Sequence, residues 1–534
     1  MAERTDAIAA AAPGANAPGT VAPAGLLDAV RAYEVVLMAN DLEALDAFFA
    51  DGAGTLRGDA AGLIVGHDRI SAFRRGRGGA PERTIEEVEV RTIDDDHALV
   101  ISVFAPLGGG RGQQTQLWRR AASGWVIDAA HVSAPARAID GSIWRTVGTP
   151  LVAGDAGGAL SGLFVAVKDL FDVAGHPVGA GVPAFLAESA TALAHAPAVA
   201  ALLAAGADVR GIARTDEFAY SIAGRNPHYG TPPNPAVPGG IPGGSSNGPA
   251  AAVALGQADI GLGTDTGGSV RVPASYQGLW GLRSTHGAVA TEGLVPLAPT
   301  FDTVGWLTRD AATLRSAAAA SLGSAAGPPW PGPDAAPLDG FAVCDAATDL
   351  ADPDVRLAFT GLLAELGDQG HADPVRVVLP DLDELFEAFR TVQAAEAWRA
   401  HGDWIAAHPG SLGAEIAGRF AWASAFGPDE ESAARETIDR ARAEIARTLD
   451  GRVLLLPSAS SAAPQATATA AANEATRAAT LRLTCIAGAA GAPALSVPLL
   501  RVRDGPVGLC LVGPRFRELD LIGVGDRLAR TKRS

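Results

Sequence analysis

Residues 239–271, GGIPGGSSNGPAAAVALGQADIGLGTDTGGSVR, hold two Gly-Gly-Ser elements, GGSSNG and TGGS, joined by an Ala-rich helical stretch and a short apolar strand. Glycines directly before a serine permit tight, positive-φ backbone and let successive N–H groups converge in one concavity, as an oxyanion hole requires. The second element therefore has the means to supply both a nucleophile and its hole. A serine hydroxyl at its free pKa attacks poorly and needs a base within hydrogen-bond reach. Neither element contains a histidine.

The base is suggested by an oddity of composition. Of the 42 lysines and arginines, only Lys168 and Lys532 are lysines. Arginine replaces lysine freely as a solvated cation but cannot release its proton near neutral pH, whereas a desolvated lysine can. Lys168, inside the apolar run FVAVKDLF, is thus the candidate base. Residues 244–248 also satisfy GxSxG, the nucleophile elbow of an α/β-hydrolase, with Ser246 as the attacking group. That elbow demands a buried strand immediately before the serine, and PPNPAVPGGIPGG cannot sustain one. The same run lacks GxxxxGK[ST] and so is not a phosphate-binding loop.

These residues must be positioned by a scaffold of short buried strands and Ala-rich helices. FVAVKDLF, PAVAALLAAGA and DVRGIAR follow one another from about residue 160, which predicts α/β architecture with a largely covered sheet. Residues 382–449 read as helical and carry Trp398, Trp404 and Trp422, expected in the core or in a pocket wall. Upstream, apolar residues at helical spacing from Leu26 to Phe49, broken at Asn40-Asp41, predict two helices. Four strands should follow, IEEVEVRTI, HALVISVF, QQTQLWRR and GWVIDAAHVS. The division expected is a flexible leader over 1–24, an α+β domain over 25–137, a linker over 138–158 and a catalytic domain over 159–534.

Composition narrows the function further. A net charge of −17 disfavours nucleic acid and anionic membrane surfaces as partners. Cys344, Cys485 and Cys510 are scattered, with no disulfide or zinc spacing, which fits a reducing cytoplasm. His67, His97 and His131 lack ligand spacing, so neither a metal nor another cofactor is expected.

The central block resembles the amidase signature family. The likeness extends over VAVKDLFDV, ARTDEFAYSIAGRNPHYGTPPNP, PGGIPGGSSNGPAAAVALG, IGLGTDTGGSVRVPASYQGLWGLRSTHG, VPLAPTFDTVGWLTRD and GAPALSVPL with GPVGLCLVG. The resemblance implies an α/β amidase fold, a mixed sheet covered by helices. It further implies that Ser269 attacks the carbonyl, that Ser245 relays protons through a cis peptide, and that Lys168 is the base. Backbone N–H groups from Thr266, Gly267, Gly268 and Ser269 would form the oxyanion hole. Asp265 and Arg271 read as a structural pair holding that loop, and Ser246 as a hydrogen-bonding member of the network. Tyr220, Asp216 and Glu217 belong to the family's loop before the catalytic segment, where pocket lining and packing are equally good readings. Arg283 and Asn247 depart from the usual pattern, and the departures are read as bearing on substrate rather than mechanism.

The residues before about 134 resemble the small cone-shaped α+β domains of the nuclear transport factor 2-like (NTF2-like) group, in particular the one beside amidases of cyanuric acid and oxalurate breakdown. In that group a tyrosine of the first helix and an arginine shortly after the second act on dicarboxyurea. The resemblance places Tyr33 and Arg57 there, with core packing as the alternative for Tyr33. Arg74, Arg75 and Arg77 are read as a solvated face. Together these readings predict hydrolysis of a small linear amide or ureido compound, carboxylated or not, by an enzyme that forms homodimers through the N-terminal domain. A transamidating subunit of a tRNA-dependent amidotransferase and an inactive scaffold are the alternatives.

Overall fold

The computed structural model describes residues 22–59, 62–76, 79–80, 82–106, 112–133, 139–322, 337–369 and 373–532. The expected leader therefore lies almost wholly outside the described residues, as does Arg77. The chain divides into two compact units, Met1–Ala138 and Ile139–Ser534.

In the first unit, Leu26, Val30 and Tyr33 recur on one face of the helix Leu26–Ala39 and are all buried. Asn40 ends that helix with φ of 53°, a left-handed conformation that asparagine tolerates better than most residues. Asp41 then caps the helix Leu42–Ala47 by accepting from the Ala44 N–H at 3.1 Å. Among the described residues, six strands form one sheet in the order Gly62–Val65, Leu56–Asp59, Gly124–Ser133, Gly112–Ala121, His97–Pro106, Arg83–Thr92. The four long strands match the alternating segments read from sequence. The two four-residue strands and the helix His67–Arg75 were not anticipated, because four residues are too few to display a period of two. The helices lay their apolar faces on the sheet residues Val90, Ala98, Val100, Trp118 and Ile127. This is an α+β, NTF2-like arrangement.

The second unit is built on a mixed sheet of 11 strands among the described residues. Its central region runs Ala494–Val502, Trp280–Arg283, Val304–Thr308, Ile260–Thr264, Phe164–Lys168, Asp208–Ala213 and ends at Trp144–Val152. Phe164–Lys168 lies parallel to both of its neighbours, Ile260–Thr264 and Asp208–Ala213. Alternation along this strand sends Val165 and Val167 into one core and Ala166 into another, shared with Ala250, Ala251 and Val253 of the helix Asn247–Ala254. Lys168 has the parity of Ala166 and faces the start of that helix. The segment expected as a linker carries instead the edge strand Trp144–Val152, antiparallel to Asp208–Ala213. Its polar and proline-containing sequence disguised it, as suits an edge strand. Residues 382–449 form three helices, Leu382–Ala407, Ala414–Ala423 and Pro428–Leu449. No helix among the described residues is long and apolar enough to cross a membrane.

Candidate active site

The two Gly-Gly-Ser elements and Lys168 meet at one end of the central strands. Lys168, the last residue of its strand, is fully buried, and its Nζ donates to Ser245 Oγ at 2.8 Å and to Thr264 Oγ1 at 2.7 Å. Ser245 follows a cis peptide bond from Gly244, and its carbonyl accepts from the Thr215 hydroxyl at 2.9 Å. The Ser246 N–H donates to the Ser269 carbonyl at 3.2 Å, which ties the first element to the second. Ser246 Oγ donates to the Thr264 carbonyl at 3.3 Å, so Ser246 acts as a brace, as read from sequence. No strand precedes it, which removes the nucleophile-elbow geometry. Gly263 must stay small for this packing, since a Cβ there would lie 2.6 Å from Ser246 Oγ.

Burial, and not the surrounding charge, draws Lys168 towards the neutral form. Burial pulls its amine down to about 7, opposed by the carboxylates of Asp216, Asp265 and Asp302. Asp216 is pushed up to about 7 by burial, against the Gly224 N–H it accepts from at 3.0 Å and the charge of Lys168. The Asn247 amide also donates to Asp216, at 3.2 Å. Burial likewise raises Asp302, against hydrogen bonds from the Thr266 hydroxyl and the N–H groups of Leu297 and Ala298.

The loop that presents Ser269 is wound around the Asp265 carboxylate, which accepts from the N–H groups of Gly268, Val270 and Arg271. Arg271 binds it through Nε at 3.0 Å and Nη2 at 2.8 Å. Arg283 reaches the same carboxylate at 3.2 Å, together with the carbonyls of Asp265, Thr266 and Phe301. Burial alone would raise the Asp265 carboxyl, but these two guanidinium groups hold it well below the usual carboxylate range. Asp265 thus contributes to stability throughout the neutral range and loses that contribution only in strong acid. Asp265→Asn would strand two buried cations, and its expected cost is about 3–5 kcal/mol. Urea denaturation at pH 7 checks this; a loss under about 1 kcal/mol would refute the anchoring role.

One reading from sequence needs correction. The Gly268 N–H is committed to Asp265 Oδ1 at 2.8 Å and is not a donor to an oxyanion. The N–H groups of Thr266, Gly267 and Ser269 have no acceptor among the described residues. Arg283 and Asn247 secure the loops behind the serines. The scaffold residues not foreseen are Thr264, Thr215, Asp302 and Thr484, whose hydroxyl donates to the Gly267 carbonyl at 2.6 Å. Thr264 ends the strand that runs parallel to that of Lys168, a pairing that only the folded sheet reveals. Thr484 lies more than two hundred residues from Gly267 in the chain.

Beside this loop is a cavity of about 710 Å³. Tyr220 and Trp422 line it, as do Phe389 and Leu481, which lie 3.0 and 3.4 Å from where a Cβ on Gly267 would stand. Of the neighbouring acids, Asp216 is buried within the network already described. Glu217 is also buried, paired with His228 at 2.8 Å. Both belong to the scaffold rather than to the cavity.

The model of the amidase family matches residues 144–522. The chain belongs to the amidase family. An AtzH-like model matches residues 16–137. Amidase 1 of Oryza sativa is 36% identical over 407 residues, covering 70% of this chain and 91% of that protein. The 2-amino-5-chloromuconic acid deaminase of Comamonas testosteroni is 36% identical over 408 residues, 74% of this chain and 86% of the relative. A solved structure described as a vestigial protein complex that reveals the evolutionary origins of an s-triazine catabolic enzyme superposes with a TM-score of 0.63 at 28% identity. It covers 71% of this chain and 85% of its own. As an amidase, the protein is a hydrolase of amide C–N bonds.

In the AtzH-like unit, Tyr33 is a core residue, 4% exposed and packed edge-on to Phe48 and Trp118. Burial raises its hydroxyl, while the charges of Arg74, Arg83 and Arg57 oppose that rise. Arg57 is buried against Asp59 at 2.7 Å. Arg74 is not on a solvated face: it donates to the Leu45 carbonyl and lies 3.9 Å over the Phe49 ring, whereas Arg75 is exposed.

Proposed function

We propose that this amidase cleaves a small linear amide or ureido compound through an acyl-enzyme on Ser269, with Ser245 as proton relay and Lys168 as base. The observation that carries the reading is the fully buried Lys168 amine, drawn towards neutrality and 2.8 Å from Ser245 Oγ. Neutral Lys168 takes a proton through Ser245 as Ser269 Oγ attacks the carbonyl carbon. The N–H groups of Thr266, Gly267 and Ser269 receive the developing oxyanion. Such donors are worth roughly 2.7–4 kcal/mol each where one has been removed. The proton then returns through Ser245 to the leaving nitrogen, the C–N bond breaks, and water repeats the sequence to release the acid.

A screen for released ammonia across simple amides, biuret-like ureas and oxalurate tests the reading. Ammonia delivered to an aminoacyl-tRNA in place of free release would support the transamidating alternative. Every residue of the proposed triad lies in the second unit. A chain beginning at Ile139, which spares the strand Trp144–Val152, is therefore expected to keep hydrolysis of simple amides within about tenfold of the full chain. A folded but inactive truncation would show that the first unit supplies part of the site.

A further inference from the structure

The cavity beside the Ser269 loop carries polar atoms that the protein itself leaves unused. Arg477 and Asn473 stand four residues apart on the helix Ala470–Ala490, a spacing that puts both on one face, and both line the cavity. Arg477 Nη1 donates to Glu474 at 2.8 Å, but its Nε–H is buried with no acceptor. Asn473 donates its amide to the Ala468 carbonyl at 3.2 Å, which fixes the orientation of the group and leaves Oδ1 as an acceptor. That oxygen too is buried and unpaired. An orphaned buried donor and an orphaned buried acceptor each cost the fold the desolvation of an unpaired polar group. Two of them about one turn apart on a helix that lines the cavity suit a ligand that presents both an oxygen and an N–H.

Charge selects among such ligands. Five arginines and three glutamates line the cavity of a chain whose net charge is −17. Arg419 is paired with Glu415, Arg390 with Glu387, and Arg482 with Asp383 outside the lining. Arg225 reaches only the Ala466 carbonyl, at 2.7 Å, and has no carboxylate partner among the described residues. Like-charge proximity is felt within the group, since burial and then the charge of Arg477 bring Arg419 down to about 10. An added carboxylate would relieve this excess.

The same helix sets the distance to the chemistry. Thr484, which braces the Gly267 carbonyl, is seven residues beyond Arg477, or about 10 Å along the axis at 1.5 Å per residue. Leu481 lies between them, against Gly267 and in the cavity wall.

We infer that Arg477 and Asn473 form a subsite for the distal end of the substrate, and that this end is a ureido or amide N–H adjoining a carboxylate. Arg477 Nε and Arg225 receive the carboxylate, and Asn473 Oδ1 accepts the N–H. This deepens the proposed function and rests on its placing of the scissile bond at Ser269. The subsite itself is tested by binding in the full-length Ser269→Ala protein, where turnover does not intervene. Calorimetric titration with oxalurate, a ureido compound ending in a carboxylate, is compared with biuret, which has the ureido N–H groups and no carboxylate. Oxalurate is expected to bind at least tenfold more tightly than biuret. Arg477→Met should weaken oxalurate at least tenfold and bring the two ligands close together, and Arg477→Lys, which keeps the charge without the Nε–H, should fall between. Asn473→Leu should weaken both ligands alike, whereas Asn473→Asp should weaken oxalurate more than biuret. Equal affinity for the two ligands, no binding of either, or folded Arg477 variants that bind oxalurate like the parent would each overturn the subsite. Ammonia release persisting in Ser269→Ala would instead overturn the nucleophile and leave the binding comparison standing.

Discussion

Replacing Ser269 with alanine is expected to lower the turnover of any amide substrate by roughly 10⁶-fold, the scale seen when a hydrolase loses its attacking hydroxyl. The fold should survive. Ser269 is buried, but its hydroxyl makes no hydrogen bond among the described residues, so the variant strands no partner. What presents the residue is backbone: the Ser269 carbonyl accepts from Ser246, and the flanking N–H groups of Gly268 and Val270 bind Asp265. None of these depends on the side chain. A fluorophosphonate probe should label the wild-type enzyme at Ser269, because the free N–H groups of Thr266, Gly267 and Ser269 suit the phosphoryl oxygen as they suit an oxyanion. Peptide mapping that finds the label on Ser246, or turnover in Ser269→Ala within a hundredfold of wild type, would sink the assignment.

The site was more legible than the scaffold that holds it, and the reason is physical. The proposed nucleophile, relay and base rest on chemistry that few residue types can perform, and a chain with two lysines makes an internal one conspicuous. The two helices before Phe49 were readable because a 14-residue amphipathic pattern repeats its period several times and ends in Asn-Asp, whose capping chemistry is local. The strand Trp144–Val152 was hidden because an edge strand alternates poorly and tolerates proline. Gly268 was placed among the oxyanion donors because glycine freedom marks a tight loop, without saying where each N–H points. Only the position of the Asp265 carboxylate, fixed by Arg271 and by Arg283 on another strand, decides that. Arg74 was misjudged for a related reason: an FRRGR run looks solvated until the fold brings the Phe49 ring beneath one member.

Lys168→Arg is expected to be as inactive as Lys168→Ala, each at least about 10²-fold below wild type, because the proposed role needs a group that can be neutral. General-base contributions of about 10²–10⁴-fold set that scale. Wild-type kcat/KM should rise with pH along a limb centred on about 7 and then level, since burial brings the Lys168 amine to that value. The limb should be absent from both variants. Asp216, also raised to about 7, is the competing origin of such a limb, and the two make opposite predictions. The Asp216 carboxylate holds the lysine up, so in Asp216→Asn a lysine limb moves to lower pH, whereas an aspartate limb disappears. Stability supplies an independent readout. Folding favours the neutral amine, so between about 7 and the ordinary 10.5 the unfolded chain binds more protons than the native one. Wild-type stability should therefore rise with pH across that window, relative to Lys168→Met, which carries no titrating group there. At pH 6 the methionine variant is expected to be the more stable of the two, as a buried ammonium is replaced by an apolar chain of similar length. A Lys168→Arg enzyme that keeps substantial activity with an unaltered limb would make the lysine a structural cation and require a different base.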